Sequence, residues 1–366
     1  VYPALTVADR FASAPDEVLF VGTPNGLEAR LVPEAGVAFQ GLAASGFNRA
    51  KPWTLVTSSA RLAASTLTAW RWLGAKRPDV VIGFGGYVSI PVGFAAVLRG
   101  VPLVLHEQNS VPGMANKYLS RWATAVGATY QESAALMARP DRVVVTGNPV
   151  RPAVLSASRA LGREALGLPS DALVMLVFGG SRGARHLNSA LVGLRDLLMA
   201  IPDLHVVHVT GAAEADTVRT ALAAAGGDGG GRWHVIDYLN DMGSALAASD
   251  LVVARAGATS IAEITALGLP AVLVPYPYAT DDHQTKNAAA MVAHGAAELV
   301  ADSELDDERF GDIVMRLLIA PESRASMAAA SRALGRPDAA DRVAAMARRA
   351  AGGVDPLPAS DHPMGD

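Results

Sequence analysis

The most legible chemistry in this sequence lies in Glu263, Gln284 and the run of small residues ahead of them. An apolar run, Leu251-Val252-Val253, enters a small-residue turn at Arg255-Ala256-Gly257, and a helical pattern starts at Ala258. A second strand-like run, Ala271-Val272-Leu273-Val274, leads to a polar loop ending in His283-Gln284. In a parallel α/β unit the turn after a strand and the start of its helix lie on the side of the sheet where ligands bind. Uncapped amides at Ala258, Thr259 and Ser260 would meet an anion there, helped by a helix dipole worth about 0.3–1 kcal/mol per exposed charge. Glu263 lies one turn further in. A carboxylate repels an anion, so Glu263 suits the hydroxyls of a sugar. Phosphate plus diol describes a nucleotide.

A second candidate is Gly179-Gly180-Ser181-Arg182-Gly183-Ala184, between the apolar run Leu173–Phe178 and a helical stretch to Met199. Glycines here let main-chain amides approach a diphosphate, and Ser181 adds a hydroxyl donor. The alternative is a tight turn without a ligand. An NAD fold would want an acidic residue about 20 positions on, after the next strand. Here Leu204–Val209 ends in Thr210-Gly211, which argues against NAD. No Gly-Lys-Ser/Thr follows a glycine loop, and the eight histidines are scattered without zinc-like spacing. His205 and His208 fit a strand and read as structural.

Two further polar clusters follow apolar runs: Gly83-Phe84-Gly85-Gly86-Tyr87-Val88-Ser89 and His106-Glu107-Gln108-Asn109. The second suits a cleft lining or a polar loop with its own turn bonding. Asn148 and Arg151 either face a cleft or fix a hinge. Trp53, Leu62, Leu67, Trp70, Trp72 and Leu73 are interleaved with Arg49, Lys51, Arg61, Arg71, Lys76 and Arg77. That mixture suits an anionic membrane surface, although such a stripe also serves as core.

The elements that must position these residues alternate strand and helix. Strand-like runs at Val18–Val21, Val80–Ile82, Leu103–Leu105 and Val143–Val145 precede a Pro- and Gly-rich linker, Thr146 to Pro152. Beyond it come Leu173–Phe178, Leu204–Val209, Trp233–Ile236, Leu251–Val253, Ala271–Val274 and Ala297–Val300. The expected class is α/β, with parallel sheets covered on both faces. The domains expected are 1–147 and 148–336, followed by a helix at 337–350 and a disordered tail at 351–366. With 366 residues, 51% hydrophobic and 18% charged, the chain has ample core. A net charge of −4 gives no reason to expect nucleic acid, and the absence of cysteine excludes disulfides. No apolar stretch reaches the roughly 20 residues of a membrane span.

Taken together, the motifs resemble the MurG family of GlcNAc transferases. They are GGYVS at Gly85–Ser89, HEQN at His106–Asn109, GNPVR at Gly147–Arg151, GGSRGA at Gly179–Ala184, RAGATSIAE at Arg255–Glu263 and HQTKNA at His283–Ala288, in the family's order over nearly the whole chain. The resemblance implies a GT-B fold, two Rossmann-like doubly wound domains facing a cleft. It implies transfer of GlcNAc from UDP-GlcNAc to the C4 hydroxyl of MurNAc in undecaprenyl-linked lipid I, making lipid II for peptidoglycan. It places Asn109, Arg151, Ser181, Leu239, Ala258, Thr259, Glu263 and Gln284 at the donor. Leu239 stands by the uracil, Glu263 by the ribose hydroxyls and Gln284 by the GlcNAc hydroxyls. Gly85, Gly86 and Tyr87 form the acceptor loop. No obligatory cofactor or metal is implied. The partners implied are UDP-GlcNAc, lipid I, the cytoplasmic face of the cell membrane, and cell-wall synthesis and division proteins.

One departure concerns the family's general-base histidine, which closes a strand and glycine-rich loop just before the segment matching Val1-Tyr2-Pro3-Ala4-Leu5. On that resemblance the catalytic residue lies ahead of Val1, and the sequence reads as a fragment expected to bind donor better than it turns over. A UDP-GlcNAc 2-epimerase is the rival within the same fold and would consume donor without acceptor. A binding subunit without catalysis is the rival from another class.

Overall fold

A computed structural model describes residues 1–12, 16–43, 54–180 and 184–355, with 54–59 described by backbone alone. Two compact units emerge. Val1–Pro149 groups with the segment from Asp338 onward, and Val150–Pro337 forms the other.

In the first unit β1 (Leu19–Gly22) and β2 (Ala38–Gly41) pair in parallel. A separate parallel sheet contains β3 (Val81–Gly83), β4 (Leu103–Glu107), β5 (Ala125–Ala128) and β6 (Val143–Val145), in that order. β4 is buried along its whole length, as a strand with helices on both faces must be. β5 reads Ala-Val-Gly-Ala, too small to register as an apolar run, yet all four residues are buried. The closing helix Ala339–Ala351 belongs to this unit although the chain reaches it last. Its buried positions, among them Ala339, Ala340, Val343, Met346 and Ala350, recur at helical spacing. Met346 and Ala350 pack with Val104, Ala125 and Val144, and Ala340 and Val343 with Val7. Of the tail expected at 351–366, residues 356–366 lie outside the described ones.

The second unit is built on β7 (Leu173–Phe178), β8 (Leu204–Val209), β9 (Trp233–Ile236), β10 (Leu251–Ala254), β11 (Ala271–Leu273) and β12 (Glu298–Leu299). All are parallel, in the order β12-β11-β10-β7-β8-β9. The chain runs outward from β7 to β9, then returns to the other side of β7 and runs outward again. The reversal puts a crevice beside the carboxyl ends of β7 and β10, where doubly wound sheets bind ligands. Phe178 and Ala254 lie opposite each other in register, so the loops after them begin side by side. Val174, Leu176, Val252 and Ala254 face one buried cluster and Met175, Val177, Leu251 and Val253 the other. Each large side chain removed from water stabilises the sheet by about 1.5–3 kcal/mol.

Candidate active site

The corner after β10 has the form its sequence suggested. Gly257 precedes the helix Ala258–Leu267 and caps it with no side chain. The first intrahelical bond found there is from Ile261 N–H to the Gly257 carbonyl, 3.0 Å. The first turn holds no acidic residue. Ala258 is buried and Thr259 half-buried. Such a helix start is a ready anion site.

Glu263 is 4% exposed, and its Oε1 accepts a 2.8 Å hydrogen bond from Arg151 Nε. A buried carboxylate needs such a partner. The partner stands at the head of the second unit, where Arg151 precedes the short helix Pro152–Leu155. Two residues read separately in the sequence thus act as one.

Gln284 lies in the first turn of the helix His283–Ala293, and its Oε1 accepts the Tyr276 N–H at 2.9 Å. The loop between them bends through Asp281 and Asp282, both with positive φ. Leu239 is half-buried against the unit's core beside the exposed Tyr238. Asp241 ends that loop by capping the helix Met242–Ala248, its Oδ1 accepting the Ser244 N–H at 3.0 Å. Hydrogen bonds from Ser244 hold the Asp241 carboxyl below its ordinary pKa, outweighing partial burial.

After β7 the chain enters the glycine turn. A Cβ on Gly179 would collide with the Cβ of Ala184, so only glycine lets the two ends of this loop approach. Gly180 has φ +73°, in the left-handed region glycine favours. Ser181, assigned to the diphosphate by resemblance, lies with Arg182 and Gly183 outside the described residues. The helix Arg185–Gly193 follows.

In the first unit the HEQN motif divides by role. His106 and Glu107 are 0% and 2% exposed, which excludes them from a cleft lining. His106 Nε2 bonds the Gly147 carbonyl at 2.9 Å, and its Nδ1 faces Gln108 Nε2 at 3.1 Å. Burial drives its pKa down to about 4, against a weaker raising effect of the Gly147 bond, so the ring is neutral and structural. Glu107 is a hub. Its Oε1 accepts the Asn109 N–H at 3.0 Å, and its Oε2 accepts Gly113 N–H at 3.1 Å and Asn116 Nδ2 at 2.8 Å. Glu107 therefore sets where Asn109, half-buried at the loop, presents its amide.

Asn116, which drew no notice in the sequence, also donates to the His106 carbonyl at 3.0 Å. A Cβ on Gly85 would stand 3.5 Å from its Nδ2, so Asn116 links the HEQN loop to the glycine loop. Gly85 and Gly86 have φ +80° and +77°, and Ser89 Oγ donates to the Gly85 carbonyl at 2.5 Å. They carry Tyr87 into solvent, 60% exposed. Asn148 is 2% exposed, and neither of its amide atoms has a partner.

Residues 1–128 match the glycosyltransferase family 28 N-terminal domain, and residues 174–343 its C-terminal domain. The chain is 41% identical over 363 residues to a Desulforudis audaxviator protein, covering 96% of this chain and 95% of the relative. That relative is a UDP-N-acetylglucosamine–N-acetylmuramyl-(pentapeptide) pyrophosphoryl-undecaprenol N-acetylglucosamine transferase. The chain belongs to the MurG family of glycosyltransferases. The crystal structure of Acinetobacter baumannii MurG is similar at a TM-score of 0.76 and 28% identity, covering 95% of both chains. The fold is accordingly GT-B, with two Rossmann-like units. A putative UDP-N-acetylglucosamine 2-epimerase from Listeria monocytogenes shares that fold at a TM-score of 0.67 and 18% identity, covering 97% and 94%.

Two positions, Asn116 and Asp302, and one pairing, Arg151 with Glu263, carried no signal that sequence reasoning could have used. Asn116 is one polar residue in an amphipathic helix. The Arg151 contact spans 112 residues. Asp302 follows β12 outside every motif. It pairs with Arg255 of the RAGATSIAE turn and with His186 at the start of the helix after β7.

Proposed function

We infer that this chain is an inverting glycosyltransferase that moves GlcNAc from UDP-GlcNAc to the C4 hydroxyl of MurNAc in undecaprenyl-linked lipid I, giving lipid II. The observation that carries this reading is the 41% identity to the Desulforudis audaxviator transferase across 96% of the chain. The geometry of the second unit supplies a means. Amides at the uncapped start of Ala258–Leu267 take the diphosphate, where they stabilise the charge that grows as UDP leaves. Glu263, oriented by Arg151, accepts from the ribose hydroxyls. Arg151 acts on Glu263 before it acts on the leaving group. Gln284 has its carbonyl oxygen engaged by Tyr276, so its NH₂ is the end that donates to GlcNAc hydroxyls. Leu239 offers its main chain to the uracil, and Asn109 its amide to the donor sugar.

On the acceptor side, the Gly85-Gly86-Tyr87 loop meets the lipid-linked sugar. A general base, the family's histidine, takes the C4 hydroxyl proton as the oxygen attacks the anomeric carbon, the bond to the diphosphate oxygen breaks to release UDP, and configuration inverts. Amides fill the place a cation takes in other nucleotide-sugar enzymes, so the reaction has no obligatory metal, and turnover is expected to be unchanged by EDTA. The acceptor is held in a bilayer, whereas no helix among the described residues is long and apolar enough to cross one. The enzyme therefore works as a peripheral protein at the cytoplasmic membrane face.

Calorimetric titration with UDP-GlcNAc and UDP tests the donor half. Both bind the unaltered chain, and Glu263→Ala removes measurable binding while the protein stays folded. Equal affinity in that variant would sink the donor assignment.

A further inference from the structure

Asp302 stands at the start of the turn Asp302–Glu304, after the edge strand β12. Its side chain is 15% exposed and faces two cations from different elements. Oδ2 accepts from His186 Nδ1 at 2.9 Å. Oδ1 lies 2.5 Å from Arg255 Nη1, an ion pair rather than an aligned hydrogen bond. His186 is the second residue of the helix that follows the β7 glycine turn, and Arg255 opens the turn that precedes Ala258–Leu267. These are the neighbouring corners at the reversal of the sheet. Arg255 is 6% exposed, and it also donates to the carbonyl of Pro275 at 3.1 Å. The next residue, Tyr276, holds Gln284.

We propose that Asp302 is a positioning residue for the donor, a strut that fixes the β7 corner, the β10 corner and the Gln284 loop relative to one another. The proposal rests on the donor reading above. Among the described residues, Asp302 pairs with none of those assigned to the donor. It acts through His186 and Arg255, each a side chain away from a helix start.

Among the described residues, the charged groups facing His186 are Asp302 and Asp306, the latter 3.1 Å from Nε2; those facing Asp302 are His186 and Arg255. Hydrogen bonds donated to Asp302 and then Asp306 raise the His186 pKa above its ordinary 6.5, against partial burial. Burial opposes ionisation of Asp302, but His186 and Arg255 outweigh it and hold the carboxyl below its ordinary 3.8. The strut is therefore complete below the raised His186 pKa, down to the titration of Asp302. It loses the His186 charge as pH rises through that raised pKa. A mere stabilising ion pair would show in unfolding and leave donor affinity untouched.

The test is the affinity of UDP-GlcNAc, whose esterified diphosphate keeps its charge from pH 5.5 to 9, for the unaltered chain, Asp302→Asn and His186→Gln. Cooperative unfolding of each variant is checked in parallel. The unaltered chain should bind more weakly as pH rises through the His186 titration. Either substitution should weaken binding roughly tenfold at pH 6.5, the worth of one charge-assisted hydrogen bond, and flatten the profile. KM for the acceptor should not move. Folded variants that keep the unaltered affinity and pH profile overturn the strut alone. Failure of the unaltered chain to bind UDP-GlcNAc at any pH overturns the donor reading, and the strut with it.

Discussion

Glu263 and Arg151 show how a functional residue is made available by a partner. The carboxylate is nearly fully buried, the guanidinium about a quarter exposed, and they meet at 2.8 Å. Removing one member strands the other, and breaking such pairs typically costs 3–5 kcal/mol. Because Arg151 retains solvent, Arg151→Ala is expected to destabilise by about 2 kcal/mol in urea unfolding, and Arg151→Ala with Glu263→Ala by less. A double variant less stable than the single one would show that the pair is not the unit. Glu263 was legible from its residue type: an acid one turn inside a small-residue helix start is poor packing material, and its use for hydroxyls followed from charge. Its pairing was not legible, since local spacing says nothing about a residue 112 positions away. The same holds for Asp302, whose short turn carries no periodic signal.

At the scale of elements, loops at strand ends are held by buried polar hubs, which residue type alone left undecided. The HEQN cluster suited either a cleft lining or a polar loop with its own turn bonding, and the second describes it: Glu107 spends its oxygens on the loop's own amides, and His106 is sealed against Gly147. His106 and Glu107 close the buried strand and stay inside with it, while Gln108 and Asn109 beyond it remain partly open. The glycine loop has a conformation its composition permits, with positive φ at Gly85 and Gly86. A Cβ on Gly86 meets open space, so Gly86→Ala carries only the cost of the left-handed backbone, about 1–2 kcal/mol. The expected result is a higher KM for the lipid acceptor with UDP-GlcNAc affinity unchanged, as initial-rate kinetics would show. A change confined to the donor would move this loop to the other substrate.

Across the whole molecule, two buried neutral histidines set a common acid limit. His106 in the first unit and His208 in the second both have pKa values lowered by burial to about 4, from 6.5. A depressed histidine contributes stability that is fully present above pH 6.5 and lost as pH falls toward 4, because the unfolded chain takes up the proton first. Each should withdraw on the order of 3 kcal/mol over that window. Unfolding free energies measured from pH 7 to 4 should therefore fall, with a shallower slope in His106→Gln. A slope unchanged by that substitution would return His106 to the surface.

The basic and aromatic helix also sorts itself at this scale. On Thr54–Lys76, Ala69, Trp72 and Leu73 pack inward, while Leu62, Leu67 and Trp70 face out beside Phe94 and Leu98, around a groove of about 600 Å³. Arg99 lies over the Trp70 ring at 3.9 Å. Arg49, Lys51 and Trp53 fall outside the described residues. Binding to anionic liposomes should drop by at least tenfold in Trp70→Ala with Leu98→Ala, since fully burying one such side chain is worth about 1.5–3 kcal/mol, and it should weaken with salt. Binding unaffected by both changes would place membrane contact elsewhere. The sequence showed that apolar and basic residues were mixed here, but which of them faced inward depended on the neighbouring helix Ser89–Leu98.

The central claim is transfer to a lipid-linked sugar, and the release of UDP tests it most directly. With UDP-GlcNAc alone the account predicts no UDP. In a chain that carries the family's general-base histidine, a lipid I analogue should give UDP in equal amount to a β-linked GlcNAc-MurNAc product. Consumption of UDP-GlcNAc without acceptor, or saturating acceptor that yields neither UDP nor disaccharide in that chain, would contradict the account.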